Sequence, residues 1–390
     1  MSLSLLPSLS FSTDEYRARV AAVQHRIAEA GLDALLCHSF PNICYLTGFE
    51  TVGAHKYFML VIRPEGEPSL LTQDFEAHNG RISSWLTDTI VPHSLWDDPI
   101  DASRDLLCLL KLEHGRLGVE MDATTLTPDR YRRLCAALPD ATLIDASGTV
   151  EDVRLIKSPT ELGYIRRAAY LSSTGMAAAI DAVVEGGTDN DVARASYDVM
   201  IGGGSEYMCY APIVTVGPRS GIPHSTHRRI TLRHGDPVFI EVGACIARYS
   251  APMMRTAVIG PPSDQVRRMA DACIASVETM IQQIRPGIAA REVALESRRC
   301  VADVVAKGLI WHGYYGYTIG LGFPPEWSDG PGAIAENSDL VLRPGMVFHC
   351  STSLRQAGVC GVAFSETIAV TETGCEVMTQ GTRELVVKDT

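Results

Sequence analysis

The chain has 390 residues, 46% hydrophobic and 21% charged, a length that suits two domains each able to bury a substantial core. Its 34 Lys and Arg against 46 Asp and Glu leave a net charge of −12, which argues against a phosphate-backbone partner. Mean hydropathy is +0.07 with no apolar run long enough to span a bilayer, and the start, Met1 to Pro7, lacks the cationic stretch of a secretory signal, so a cytoplasmic enzyme-sized protein with neither nucleic-acid nor membrane partners is expected.

Ser12 with Glu15 reads as a capping box, and Tyr16, Val20, Val23 and Ile27 keep one helical face apolar until Gly31. Ala34 to Cys37 reads as a buried strand. Tyr57 to Ile62 and Ser69 to Thr72 read as a hairpin around Pro64-Glu65-Gly66-Glu67-Pro68. A helix from Asp101 to Leu112, a strand from Arg116 to Glu120, a helix opening at Thr127-Pro128 and a strand at Leu143-Ile144 complete an alternating α/β domain, residues 1–157. Ser158 then fits a helix N-cap, Pro159 the first turn and Glu161 the third position, so the second domain, 158–390, is expected to begin there. Its helical patterns, Pro159 to Val184 and Asn190 to Ile201, precede strands from Ala211 to Ile259. Helices return at Ser263 to Ile284 and Ala289 to Lys307, and the chain from Gly313 onward is strand and loop. Helices then strands, twice over, suggest an α+β domain of two similar halves. The eleven cysteines form no CxxC pair and most sit in apolar runs, which reads as reduced core thiols rather than a disulfide or zinc framework. Gly202-Gly203-Gly204 reads as a flexible loop with no phosphate-cradle motif after it.

The chemistry concentrates between Gly221 and Thr256. Gly235-Asp236 feeds a strand, Val238 to Val242, in which Glu241 is the one carboxylate among Val, Phe and Ile. Such a group must be paired, hydrogen-bonded or raised in pKa, and enzymes use groups of that kind.

Gly235-Asp236, then Glu241-Val242-Gly243, then Tyr249 and Arg255-Thr256, resembles the signature of the pita-bread enzymes: methionine aminopeptidase, prolidase, aminopeptidase P and creatinase. Gly316-Tyr317-Thr318-Ile319-Gly320, Arg343-Pro344-Gly345-Met346-Val347 and Ser365-Glu366-Thr367 match later segments in order, so the resemblance covers nearly the whole chain. It implies an α/β N-terminal domain before an α+β pita-bread catalytic domain. The metallopeptidases of that family hold two metal ions; the corresponding positions carry Glu241, Pro252, Tyr317, Ser351 and Glu366. Two carboxylates cannot supply a dinuclear site, so no metal and no cofactor are expected.

The resemblance is then to the metal-free members. His224 precedes Gly235 by eleven positions, as the acid/base histidine of creatinase precedes its Gly-Asp turn. The ectoine hydrolase branch is similar in Phe239/Glu241/Gly243, Arg248-Tyr249-Ser250-Ala251-Pro252, and Tyr317-Thr318-Ile319-Gly320 with Pro324-Pro325-Glu326-Trp327. The implied activity is hydrolysis of a C–N bond in a small cyclic amidine or guanidino compound, cationic or zwitterionic. Glu241 is expected as nucleophile or general base, His224 as proton shuttle, and Glu366 as the charged acceptor for the amidinium. Tyr317, Trp327, Glu326, His227, Arg255, Ser351 and Lys56 are the expected substrate-binding group, Lys56 because related homodimers push this loop into a neighbour's site. Structural alternatives stand beside each: Glu241 paired with Arg255 or Arg248, His224 an ordinary loop residue, His227 unpinned, Tyr317 and Trp327 as packing, Lys56 solvated. At the level of function the rivals are a metal-dependent Xaa-Pro dipeptidase or aminopeptidase and an inactive binding module.

Overall fold

In the computed structural model, which describes residues 9–86, 88–305, 309 and 313–389, Ser12 Oγ accepts the Glu15 amide and opens helix α1 (Thr13–Glu29). The expected apolar face, Tyr16, Val20, Val23 and Ile27, is buried. Strand β1 (Ala34–Cys37) follows, then α2 (Phe40–Thr47), β2 (Met59–Ile62), β3 (Ser69–Gln73), α3 (Asp74–Ser83), β4 (Ile90–His93), α4 (Pro99–Leu109), β5 (Arg116–Val119), α5 (Pro128–Ala137), β6 (Thr142–Asp145) and α6 (Glu151–Arg154). The six strands form one sheet ordered β4-β3-β2-β1-β5-β6, with β2 antiparallel to both of its neighbours and the rest parallel. This α/β unit ends at Arg154.

Three of its helices, α2, α3 and α6, have no counterpart in the sequence reading. The reason is plain for α2: Ser39 does not cap it with its side chain. The Glu120 carboxylate does that work from far along the chain, accepting the His38 and Ser39 amides at 2.8 Å each and Asn42 Nδ2 at 2.7 Å.

The second unit begins at Leu155. Helix α7 (Pro159–Asp181) carries the full capping box of Ser158 and Glu161, and α8 (Asp189–Gly202) a second one from Thr188 and Asp191. Then come β7 (Ile213–Val216), a short 3-10 turn (Gly217–Gly221), and the long hairpin of β8 (Pro237–Ile246) and β9 (Tyr249–Ile259). Gly202 closes α8 and Gly203 caps it, so the glycine run is a helix terminus. Helices α9 (Asp264–Gln283) and α10 (Ala290–Val305) lead into β10 (Tyr314–Ile319), β11 (Ser328–Ala335), a second long hairpin of β12 (Val347–Gln356) and β13 (Cys360–Val370), then β14 (Cys375–Val377) and β15 (Val386–Lys388). Residues 306 and 307 of the expected second helix lie outside the described residues.

The strands form two sheets, β11-β10-β12-β13-β14 and β15-β9-β8-β7. The repetition expected from the element pattern is visible in the hydrogen bonds. Gly186 and Leu232 pair as the chain enters α8, and Gly287 and Leu342 pair in the same way as it enters α10. Each half is two helices and a long antiparallel hairpin. All ten residues of β8 and all eleven of β9 and of β13 are buried. All eleven cysteines are free thiols.

Candidate active site

Strand β8 is sequestered along its length, and Glu241 is carried inside with it, 6% exposed. Its Cα partners are Ile213 on β7 and Met254 on β9. Among the described residues its carboxyl makes no hydrogen bond and no ion pair. Burial pushes it up to about 7, and the charge of Arg355 pulls it back. Arg355 is itself tied elsewhere, to the Ser220 carbonyl at 2.7 Å and Ser353 Oγ at 3.1 Å, with its guanidinium 4.2 Å from the centre of the Phe239 ring.

Both arginines weighed as structural partners for Glu241 are engaged with other groups. The β8–β9 turn places Ala247 and Arg248 at positive φ, 50° and 67°, the strained geometry that tight hairpins require. Glu206 holds that turn by accepting the Ala247 and Arg248 amides at 2.7 and 3.1 Å, while Arg248 Nη1 donates to the Tyr207 carbonyl at 2.7 Å. Arg255 donates to the Thr382, Met254 and Ser365 carbonyls at 2.8 Å each and to Glu366 Oε1 at 2.6 Å. With its donors committed and 1% exposure, Arg255 is an internal brace, which corrects its expected substrate-binding role.

Glu366 is corrected with it. Glu366 accepts from Arg255, from Arg383 Nη1 at 3.2 Å and from Thr379 Oγ1, so its oxygens are occupied inside the fold. Register gives the deeper reason. Met254 faces across from Glu241, whereas Arg255 faces across from Ile240, and successive strand residues point to opposite faces. Glu366 follows Arg255 to the far face. On β13 the residue that shares a face with Ser351 is its partner Ser365; Glu366 pairs with Cys350.

Tyr317 on β10 lies across from His349 on β12. Its hydroxyl accepts Trp327 Nε1–H at 2.8 Å and lies 2.8 Å from His349 Nδ1. On the other side of the ring, His349 Nε2 lies 2.6 Å from Ser365 Oγ, which also accepts the Met254 amide at 2.7 Å. Burial, then the charge of Glu241, hold the Tyr317 hydroxyl well above the ordinary phenol range. Burial pushes the His349 imidazole down to about 3. Ser351, 3% exposed, makes no side-chain hydrogen bond among the described residues. Trp327 is buried over Gly243, where an added Cβ would stand 2.6 Å from its Cζ3 atom, and it meets Tyr210 edge-on at 4.7 Å. Glu326 is exposed and turns back to accept the Trp327 and Ser328 amides at 2.9 and 2.8 Å, so it shapes the turn that presents Trp327.

The two loop histidines differ. His224 is exposed, at φ 53°, without a hydrogen bond among the described residues. His227 is half-buried and, contrary to expectation, pinned: its Nδ1 lies 3.0 Å from Thr226 Oγ1 and 3.2 Å from the Pro212 carbonyl. Lys56 belongs to the first unit, where its ammonium sits 5.4 Å from the Phe75 ring centre and lines a cavity of about 380 Å³ with His55, His93 and Arg130.

The sequence reading missed His349, Ser365, Tyr210 and Arg355. The signal for the first was present: His349, Ser351 and Ser353 alternate with apolar or small residues along β12, the period that puts a polar row on one face. Among the described residues no three His, Cys, Asp or Glu side chains are placed to hold a metal ion. A hard divalent ion needs several oxygen ligands, and this face offers one carboxylate beside serine hydroxyls and a phenol already hydrogen-bonded. The residues present do not fit a resident metal.

The family model described as Metallopeptidase family M24 matches residues 163–372, and that of the Creatinase/Prolidase N-terminal domain matches residues 19–156. The chain is 31% identical to an uncharacterized hydrolase/peptidase of Sinorhizobium fredii, over 98% of this chain and 99% of that protein. It is 28% identical to the ectoine hydrolase of Halomonas elongata, again over 98% and 99%. Among solved structures, the dipeptidase PepE from Mycobacterium ulcerans superposes with a TM-score of 0.85 at 23% identity, over 97% of this chain and 100% of that one, a likeness of fold.

Proposed function

This chain belongs to metallopeptidase family M24 and is a hydrolase of that family, and from that premise we propose that it works without a metal on the C–N bond of a small cyclic amidine or guanidino compound. The observation that carries the reading is Glu241, a buried carboxyl without a hydrogen-bond or ion-pair partner among the described residues, near a guanidinium, that of Arg355, whose donors go to Ser220 and Ser353. A cationic substrate supplies the charge that such a group lacks, and the Trp327–Tyr210 pair offers it aromatic faces. The likeness to ectoine hydrolase supports the substrate class.

Glu241 acts as nucleophile or as general base. As nucleophile, one of its oxygens bonds to the amidinium carbon, the C–N bond breaks with its electron pair going to nitrogen, and the proton on the other amidinium nitrogen passes to the departing amine. Water then cleaves the resulting ester-like adduct, releasing the amide and restoring the carboxylate. As general base, Glu241 takes a proton from the water that attacks instead. His224 was assigned the proton transfer; its exposed, unpartnered place leads us to give the donor role to Tyr317 and to keep His227 and Ser351 as substrate contacts. We also propose a homodimer: Val52, Phe75, Leu95 and Trp96 are exposed apolar side chains of the first unit that a second copy would cover, and Lys56 among them stays a proposed contact for a substrate carboxylate.

The test combines elemental analysis of purified protein with turnover of ectoine, creatine and Xaa-Pro dipeptides, followed by mass spectrometry with and without chelator. Chelator-insensitive opening of ectoine or creatine, and a mass adduct on the Glu241 peptide, are the expected results. Dipeptide cleavage lost to chelator and restored by manganese would establish the metallopeptidase reading instead. Binding without turnover of any of them would leave a binding module.

A further inference from the structure

Four side chains form a continuous hydrogen-bonded row beside Glu241: Trp327, Tyr317, His349 and Ser365. Both ends touch the immediate surroundings of Glu241. Trp327 rests on Gly243, two residues along β8 on the same face, and Ser365 accepts the amide of Met254, the residue across from Glu241.

Counting protons along the row selects one arrangement. Tyr317 oxygen accepts from Trp327 Nε1, and Ser365 Oγ accepts from the Met254 amide, whichever way the histidine is protonated. If the proton sits on Nε2, Ser365 accepts a second time, and its own hydroxyl proton is left in a fully buried residue with no acceptor among the described residues. That leaves a buried donor unsatisfied, which costs it the hydrogen bond it would make in water. If the proton sits on Nδ1, Ser365 donates to Nε2, Nδ1 donates to the Tyr317 oxygen, and the single proton left over is that of the Tyr317 hydroxyl. Tyr317 is half-buried where Ser365 is fully buried, so the leftover proton sits on the less enclosed of the two residues.

We propose that His349 is a positioning residue, held by Ser365 in the Nδ1–H form, that turns the Tyr317 hydroxyl outward as a hydrogen-bond donor to the reacting centre. This rests on the hydrolase reading above and adds to it a residue that acts through Tyr317. The imidazole stays neutral throughout, consistent with its burial, and no proton leaves it. A phenol aimed at the departing nitrogen stabilises charge developing there, a kind of contact worth about 10²–10³ in rate.

Two experiments test it, one without substrate. Nitrogen NMR of histidine-labelled protein is expected to show a neutral ring protonated on Nδ1 from about pH 5 to 8, shifting toward the Nε2–H form in Ser365→Ala. A ring protonated on Nε2 in the unmutated protein, or one that titrates in that range, would overturn the proposal. With ectoine as the probe, Tyr317→Phe and His349→Gln are each expected to lower kcat by about 10²-fold or more, with KM changed by less than about threefold, and the double variant to be no worse than Tyr317→Phe alone. Additive losses in the double variant would overturn it. If a variant fails to fold by its melting curve, the NMR result on the unmutated protein decides. Absence of ectoine turnover in the unmutated protein counts against the substrate reading alone, because the tautomer measurement uses no substrate.

Discussion

Arg255 and Glu366 close a buried ion pair, Nη2 to Oε1 at 2.6 Å, on the face of the β8–β9 hairpin turned away from Glu241. With 1% and 0% side-chain exposure, neither partner can find water if the other is removed. Glu366→Gln is therefore expected to destabilise the fold by roughly 3–5 kcal/mol, because it strands a buried guanidinium. Chemical denaturation checks the loss, and kinetics on the remaining folded protein should change little. Lost turnover at unchanged stability would return Glu366 to the reaction.

Glu241 makes the opposite prediction. Its folded value, about 7, lies above the ordinary glutamate value of 4.5, so the folded state holds the proton more tightly than the unfolded chain. The cost to stability is absent below about pH 4.5 and grows as pH rises through about 7. Glu241→Gln should accordingly abolish turnover and raise the melting temperature at pH 8, by an amount on the order of 3 kcal/mol at most, with little change at acid pH. Calorimetry at the two pH values checks this; a gain independent of pH would refute it.

The same group sets the rate profile. As nucleophile or as base Glu241 must be ionised, so kcat/KM should rise with pH through about 7 and level off above it. Bound cation favours the carboxylate, which moves the midpoint in kcat downward. His349, pushed down to about 3, adds no step in this range. Replacing exposed His224 by Ala should leave the midpoint in place and change kcat less than about threefold. A lost acid or base limb in that variant would restore His224 as the proton shuttle.

Gly243 is predicted to be intolerant of a methyl group for a reason confined to one contact. An added Cβ would stand 2.6 Å from Trp327 Cζ3 and 3.0 Å from Cε3. The ring must move, and its hydrogen bond to Tyr317 moves with it. Gly243→Ala should cost roughly 1–3 kcal/mol and reduce kcat well beyond what its melting temperature explains. Gly163→Ala in α7, where a Cβ meets nothing within 4 Å, is the matched control and should stabilise by about 1 kcal/mol.

Much of the architecture was legible because its signals are local. The cap of α1 at Ser12, the capping box of α7 and the turn at Gly66 between β2 and β3 each act within a few residues of the element they end or begin. Helix α2 was not legible, since the carboxylate that satisfies its first amides is Glu120, 81 residues beyond Ser39.

The site divides in the same way. Glu241 stood out from sequence alone, because a single carboxylate in a strand of Pro, Val, Phe and Ile is anomalous wherever that strand goes. The order of the motifs also determined the family and the two-part architecture. Only the tertiary structure decided which residues keep Glu241 company. A strand residue changes face with each step, so one position separates Ser365, hydrogen-bonded to His349, from Glu366, locked onto Arg255. His349 reaches its partners from β10 and β13, 32 and 16 residues away, through contacts that exist once the strands are in register. Composition and motif spacing determine which groups are available; pairing across strands decides which of them share a face.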